Sequence, residues 1–162
     1  MNSTTSSHID VDLAAQQLVL DNGERRVYRV STARNGAGER NGSHCTPRGR
    51  HRIRAKIGAG EAVNTVFRGR RPTGEIYTPE VAAAAPQRDW ILTRILWLCG
   101  EQAGFNRFGE VDTMRRYIYI HGAPDSARMG VPGSIGCIRM YNVDVLDLFE
   151  RVVVGTPVFI HE

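Results

Sequence analysis

Lysine is nearly missing from this chain: Lys56 stands alone against twenty arginines in 162 residues. Arginine usage of this kind can follow genome composition; functionally it suits carboxylates or phosphates, which guanidinium grips in a bidentate fork. Cysteine is scarce. Cys45, Cys99 and Cys137 are an odd set, too sparse for a disulfide framework. There is no Cys-x-x-Cys and no histidine pair three to five residues apart, so neither a metal site nor a cofactor is expected. No apolar run approaches the length of a bilayer span. The first eight residues, Met1 to His8, are polar and show no signal peptide. Repeats and long low-complexity blocks are absent. The net charge of +4 and pI near 9.3 would suit nucleic acid. However, Arg25-Arg26, Arg48-Gly49-Arg50 and Arg68-Gly69-Arg70-Arg71 are scattered and no nucleic-acid-binding motif accompanies them, so no such partner is expected.

What is present is a soluble globular composition, 41% hydrophobic and 23% charged. Residues 1–8 read as a flexible N-terminus and 9–162 as one domain, expected to be monomeric. Ile9, Val11 and Leu13 alternate with polar residues, and Leu18-Val19-Leu20 follows. The turn signal Asp21-Asn22-Gly23-Glu24 leads to Val27, Tyr28 and Val30, which predicts an N-terminal hairpin. Thr32 to Thr46 reads as loop, Thr46-Pro47-Arg48-Gly49 as a turn, and His51 to Ile57 as a strand. Short strands are expected near Thr65–Phe67 and Ile76-Tyr77. Val81 to Ala85 is helix-friendly by propensity but ends at Pro86, which weighs against a helix there. Trp90 to Leu98 is apolar on both faces and rich in β-branched residues, so it reads as a buried strand. Gln102 to Thr113 reads as a loop that could cover a cleft. Arg116 to His121 is the clearest strand. Asn142 is placed to cap a short helix over Val143 to Arg151, and Val158 to Ile160 reads as a last strand. The fold class predicted is mainly β, sandwich- or barrel-like, with a short helix after Cys137.

Two segments carry chemistry: His121-Gly122-Ala123-Pro124, and Ser134-Ile135-Gly136-Cys137-Ile138-Arg139-Met140. A histidine ends an alternating run, a cysteine follows a glycine on a tight turn, and an arginine stands two residues beyond. A thiolate nucleophile needs a base, backbone amides that can face an oxyanion, and nearby positive charge. Strand period places Tyr117, Tyr119 and His121 on one face and Ile118 and Ile120 on the core face. An imidazole and a guanidinium beside Cys137 predict a thiol that titrates below about 8.5. Packing alone would also explain a buried free cysteine, and it suffices for Cys99. Cys45 beside His44 lies in a polar loop and is not expected to form a site.

His121-Gly122, Ser134-x-Gly136-Cys137-x-Arg139-Met140 and Asn142-x-Asp144 resemble the signature of the L,D-transpeptidase catalytic domain of the YkuD type. Val30 to Gly36 resembles that family's Ser-Thr-Gly-Lys-Asn-Gly element, and Thr46 to Ile53 its Thr-Pro-x-Gly-x-Phe-x-Ile element. The likeness runs from about Ile9 to Ile160. It implies a β-rich catalytic domain that cleaves the L,D bond of a peptidoglycan stem tetrapeptide, expels D-alanine and passes the acyl group from a cysteine thioester to an amine. It also implies action in the cell envelope or periplasm. On this chain the resemblance makes Cys137 the nucleophile, His121 the proton donor and acceptor, and the Gly122 carbonyl the orienter of the imidazole. Amides of Gly136 and Cys137 would face the oxyanion, and Arg139 would hold a carboxylate or steady the loop. Tyr119, Ser134 and Ile135 would contact substrate or order the loop. Ile135 stands where many members carry histidine, which implies a shifted substrate preference. The amine acceptor would be a second stem peptide or a wall-anchored protein. A hydrolase using the same thioester, or a cell-wall binding module without activity, remain the alternatives.

Overall fold

The computed structural model describes residues 6–162. Most of the N-terminus expected to be flexible lies outside those residues, but pairing begins at His8, opposite Asp21. β1 (His8–Asp12), β2 (Gln17–Asp21) and β3 (Arg25–Ser31) form an antiparallel meander. The turn signal Asp21 to Glu24 marks the β2–β3 turn, and a second turn over residues 13–16 joins β1 to β2. The inward set is the one that alternation predicts: Ile9, Val11, Leu18, Leu20 and Val30 are fully buried.

β10 (Pro157–His161) runs parallel to β1, and β4 (Gly49–Ile57) antiparallel to β10. β7 (Ile91–Gly100) pairs β4, β8 (Tyr119–Gly122) pairs β7, and β9 (Ile138–Met140) joins β8 to β3. Following these pairings returns to the start, so eight strands close into a barrel without free edges. A hairpin of β5 (Thr65–Arg68) and β6 (Arg71–Ile76) extends outward from β7. Ile53, Leu96, Leu98, Ile120, Ile138, Met140, Val158 and Ile160 fill the core together with the meander residues. α2 (Asn142–Arg151) adds Val145, Leu148 and Phe149, one stripe at helical spacing.

Three local expectations fail. α1 (Pro79–Ala84) does form: Thr78 Oγ1 accepts from the Val81 amide at 3.1 Å and Pro79 opens the first turn, local signals that outweigh the nearby Pro86. Asn142 does not cap α2; Tyr141 holds that position without a side-chain bond, because the Asn142 amide is used in a buried network described below. Finally, β8 begins at Tyr119, not Arg116. The amides of Arg116 and Tyr117 bond back to the carbonyls of Asp112 and Met114, both at 3.0 Å, and Tyr117 takes φ +56°. Tyr117 therefore leaves the strand, although its ring still packs beside Tyr119 against Trp97.

Residues 102–113 contain only a short 3₁₀ turn, Gly109–Val111. They pack on the start of β4. Gln102 Oε1 accepts from the Arg50 amide at 2.7 Å, and Asn106 Nδ2 donates to the carbonyls of Arg48 and Arg50, both at 3.0 Å.

Candidate active site

Parallel pairing of β8 with β9 sets Ile120 beside Ile138 and His121 beside Arg139. The two isoleucines face the core. By strand alternation Tyr119, His121, Cys137 and Arg139 share the opposite face. Cys137 stands two residues before the partner of His121 and so lies diagonally from it.

The imidazole is enclosed. Its Nδ1 lies 2.6 Å from the Gly122 carbonyl oxygen, so Nδ1 carries the proton and Nε2 is the basic nitrogen. Burial lowers the His121 pKa; the Gly122 carbonyl and Asp89 oppose this, and Arg139 reinforces it. Gly122 has no space for a Cβ, which would meet Asn142 Oδ1, and the Leu92 carbonyl at 2.6 Å. Asn142 Oδ1 accepts from Thr93 Oγ1 at 2.6 Å, and its Nδ2 donates to Asn64 Oδ1 at 2.9 Å and Asp125 Oδ1 at 3.4 Å. Thr93 sits at φ +74°, an unusual value for a β-branched residue, at the bulge of β7. This network braces the backbone from which the imidazole hangs.

The thiol is turned elsewhere. Cys137 Sγ donates to the Tyr117 carbonyl at 3.4 Å and accepts from the Tyr119 amide at 3.3 Å. No hydrogen bond joins it to His121 among the described residues. Part of Cys137 remains open to the cleft, yet its surroundings push the thiol up to about 12, with burial the main cause and Asp89 adding to it. The Tyr119 amide and Arg116 act the other way. The low thiol pKa expected from sequence is therefore reversed in this state: desolvation outweighs the nearby cation. That cation is also Arg116, not Arg139.

The loop before Cys137 is tightly bonded. Ser134 Oγ donates to the Cys137 carbonyl at 2.6 Å and accepts from the Gly136 amide at 3.2 Å. The Gly136 amide is thus committed within the loop. Thr46 Oγ1 donates to the Gly136 carbonyl at 2.9 Å, and the Arg34 amide donates to the Ser134 carbonyl at 2.9 Å. Both upstream elements that carried the family resemblance therefore support this loop from outside. Gly136 has φ +137° and a Cβ there would lie 3.1 Å from Ile118 Cδ1, so glycine is required. Arg139 is half-buried; its Nη2 donates to Ser31 Oγ at 2.8 Å, and its Nε is buried without a partner. Burial lowers its pKa while Asp89 raises it.

A cleft of about 470 Å³ opens over Cys137, with Arg70, Asp89, Arg116, Tyr119 and Ile135 among its lining. Ile135 is exposed. The 102–113 segment contributes nothing to this cleft; the tip of the β5–β6 hairpin does. Arg116 and Asp89 are site residues that sequence reasoning missed. Strand pattern places Arg116 in β8, but the turn over residues 112–117 swings it under the loop, onto the carbonyls of Gly38, Glu39 and Cys45. Asp89 is an exposed acid in an irregular connection and carries no sequence signal.

Cys99 is buried and accepts from Arg52 Nε at 3.2 Å; Cys45 faces the carbonyls of Asn35 and Ser43. Among the described residues no group of three His, Cys, Asp or Glu side chains is placed to hold a metal ion.

A family model described as the YkuD L,D-transpeptidase catalytic domain matches residues 6–160. The chain belongs to that family. No curated protein matches it. Among solved structures, the fold of this L,D-transpeptidase-family chain is similar to an L,D-transpeptidase from Mycobacterium smegmatis, at 18% identity and TM-score 0.56, covering 97% of this chain and 59% of that one. It is similar to L,D-transpeptidase 3 from Mycobacterium tuberculosis, at 15% identity and TM-score 0.60, covering 97% and 61%. A third is an L,D-transpeptidase from Enterococcus faecium, at 16% identity and TM-score 0.57, covering 96% and 50%. The chain therefore spans at most about three fifths of these L,D-transpeptidases. No helix in the described residues is long and apolar enough to cross a membrane.

Proposed function

We propose that residues 9–162 act as one cysteine acyltransferase domain on peptidoglycan stem peptides in the cell envelope, as a monomer. The observation that supports this reading is the parallel register that sets His121 beside Arg139, two residues past Cys137, while Cys137 itself lines an open cleft.

His121 Nε2 takes the thiol proton once Sγ leaves the Tyr117 carbonyl and turns toward it. Sγ then attacks the carbonyl carbon of the L,D bond. The Cys137 amide stabilises the oxyanion, joined by that of Gly136 if Ser134 releases it. Collapse breaks the C–N bond, and the imidazolium returns its proton to the departing D-alanine nitrogen. A thioester remains. An amine of a second stem peptide or a wall protein attacks that thioester, giving an amide and restoring the thiol. Because the resting thiol is held protonated, deprotonation is coupled to substrate entry and not complete beforehand. Gly122 fixes the imidazole tautomer. Arg139 steadies the loop through Ser31, and Ile135 presents an apolar wall to the substrate.

The test is a defined stem tetrapeptide, assayed for D-alanine release and for the fate of the acyl group with and without an amine acceptor. The expected result is D-alanine release, with a cross-linked product when the amine is present. Acyl transfer to water despite excess amine would make the domain a hydrolase. No release by a protein whose Cys137 still reacts with alkylating agents would refute the acyltransferase reading.

A further inference from the structure

Arg70 and Arg116 line the cleft over Cys137 and Arg139 follows it in β9; two of the three are committed to the protein itself. Arg116 donates to three backbone carbonyls and to Ser43 Oγ. Arg139 donates to Ser31 and is half-buried behind the loop. Arg70 differs. It occupies the tip of the β5–β6 hairpin, with φ +65°, and lines the cleft. Its guanidinium carbon lies 4.6 Å from the centre of the Trp97 ring and 4.9 Å from that of Tyr117. Its Nη1 donates to Tyr119 Oη at 3.0 Å. Among the described residues no carboxylate pairs with it, and its remaining N–H groups have no protein acceptor. A guanidinium held against two rings has already lost much of its rotamer freedom, so an anion that binds it orders little more.

Tyr119 measures the distance from that guanidinium to the nucleophile. Its backbone amide donates to Cys137 Sγ at 3.3 Å, while its phenol oxygen accepts from Arg70. An anion on Arg70 therefore sits about one tyrosine side chain from the attacking sulfur. A carbonyl carbon at Sγ and a carboxylate at Arg70 fit one molecule when a short side chain, or the leaving residue, separates them. Asp89 lines the same cleft and its charge acts on the thiol rather than on Arg70.

We propose that Arg70 is a specificity-determining residue that receives a carboxylate of the acyl donor while the donor carbonyl lies at Cys137. The inference deepens the acyl-transfer reading and rests on it for the identity of the donor. The carboxylate belongs either to the side chain of the acyl residue or to the end of the leaving residue.

Two measurements test this. The first needs no peptide cleavage: the rate at which Cys137 reacts with a maleimide carrying a short alkyl carboxylate, relative to its neutral carboxamide, read by mass mapping of the Cys137 peptide. Wild-type protein should prefer the carboxylate about ten- to hundredfold, the range of a charge-assisted pair. Arg70→Gln should abolish the preference. Arg70→Lys, which keeps the charge without the fork, should fall between. The rate ratio cancels any general change in thiol reactivity, so a partly perturbed variant remains informative. Equal ratios in wild type and Arg70→Gln would overturn the proposal. The second compares tetrapeptides amidated on the acyl-side carboxylate or on the leaving residue. The amidation that slows wild type but not Arg70→Gln names the source, and equal slowing of both proteins by each amidation would overturn the proposal. A peptide that never turns over counts against acyl transfer and leaves the maleimide result standing.

Discussion

Two neighbourhoods of this barrel each bring a buried histidine close to a cysteine, and only one has the makings of a reactive site. On β4 and β7, His51 pairs Gly100 while Arg52 pairs Cys99. On β8 and β9, His121 pairs Arg139, with Cys137 two residues before it. The offset is odd in the first case and even in the second. Strand alternation therefore separates His51 from Cys99 across the sheet and keeps His121 and Cys137 on one face. Both imidazoles are 1% exposed, so burial does not distinguish them. Hydrogen bonding does. His51 is satisfied at both nitrogens, by the Gly49 carbonyl at 3.0 Å and Thr113 Oγ1 at 2.9 Å. His121 is held at Nδ1 alone and keeps Nε2 for a ligand. A structural histidine is tied at both ends; a candidate base is tied at one.

The comparison can be broken most sharply at the cysteines. Cys137→Ser should lower D-alanine release by about a thousandfold or more, whereas Cys99→Ser and Cys45→Ser should stay within a few-fold of wild type. Substantial turnover in Cys137→Ser would remove the nucleophile assignment.

The histidines should divide in the same way. His121→Ala is expected to cost about 10²–10⁴-fold in turnover. His51→Ala should instead lose about 1–3 kcal/mol of stability, since it leaves Thr113 without its partner, and should retain turnover below its melting temperature. Denaturant unfolding and steady-state rates on both variants separate the outcomes.

Beneath Gly122, Thr93→Val leaves Asn142 Oδ1 without its donor while preserving shape. A loss of about 1–3 kcal/mol is expected, with Thr93→Ser close to wild type. A stable Thr93→Val would show that the network adds little to the bracing of Gly122.

Near neutral pH the smallest effects are those of protonation. Burial pulls His51 down to about 4. Its folded form thus binds protons more weakly than its unfolded form. The associated stability is present above the ordinary histidine value of about 6.5 and is lost as pH falls toward 4. For Cys137 the sign is opposite: with the thiol pushed up to about 12, stability is present below the ordinary thiol value and is lost as pH rises toward 12. Iodoacetamide labelling of Cys137 in the free protein should keep rising through pH 9. A plateau below pH 8.5 would mean that the thiol leaves the Tyr117 carbonyl without substrate.

Much of the fold was legible because it rests on local pattern. Alternation in the first thirty residues located the β2–β3 hairpin and the inward residues of β1, β-branched apolar density located β7, and Gly136 marked a turn that no other residue can make. The failures were also local in cause. A capping threonine produced α1 beside a proline. A turn bonded back to Asp112 and Met114 took Arg116 and Tyr117 out of β8.

The sequence by itself determined a β-rich fold, sandwich- or barrel-like, the family resemblance, and the pairing of His121-Gly122 with the Ser134 to Arg139 segment, since these depend on residue type and short spacing. Tertiary structure alone decided which groups surround the thiol. Arg116, Asp89 and Arg70 come from three separate connections, and only closure of the barrel brings them to one cleft. It alone also decided that the thiol rests protonated against Tyr117. Desolvation is a property of the whole enclosure around a group, and no spacing along the chain encodes it.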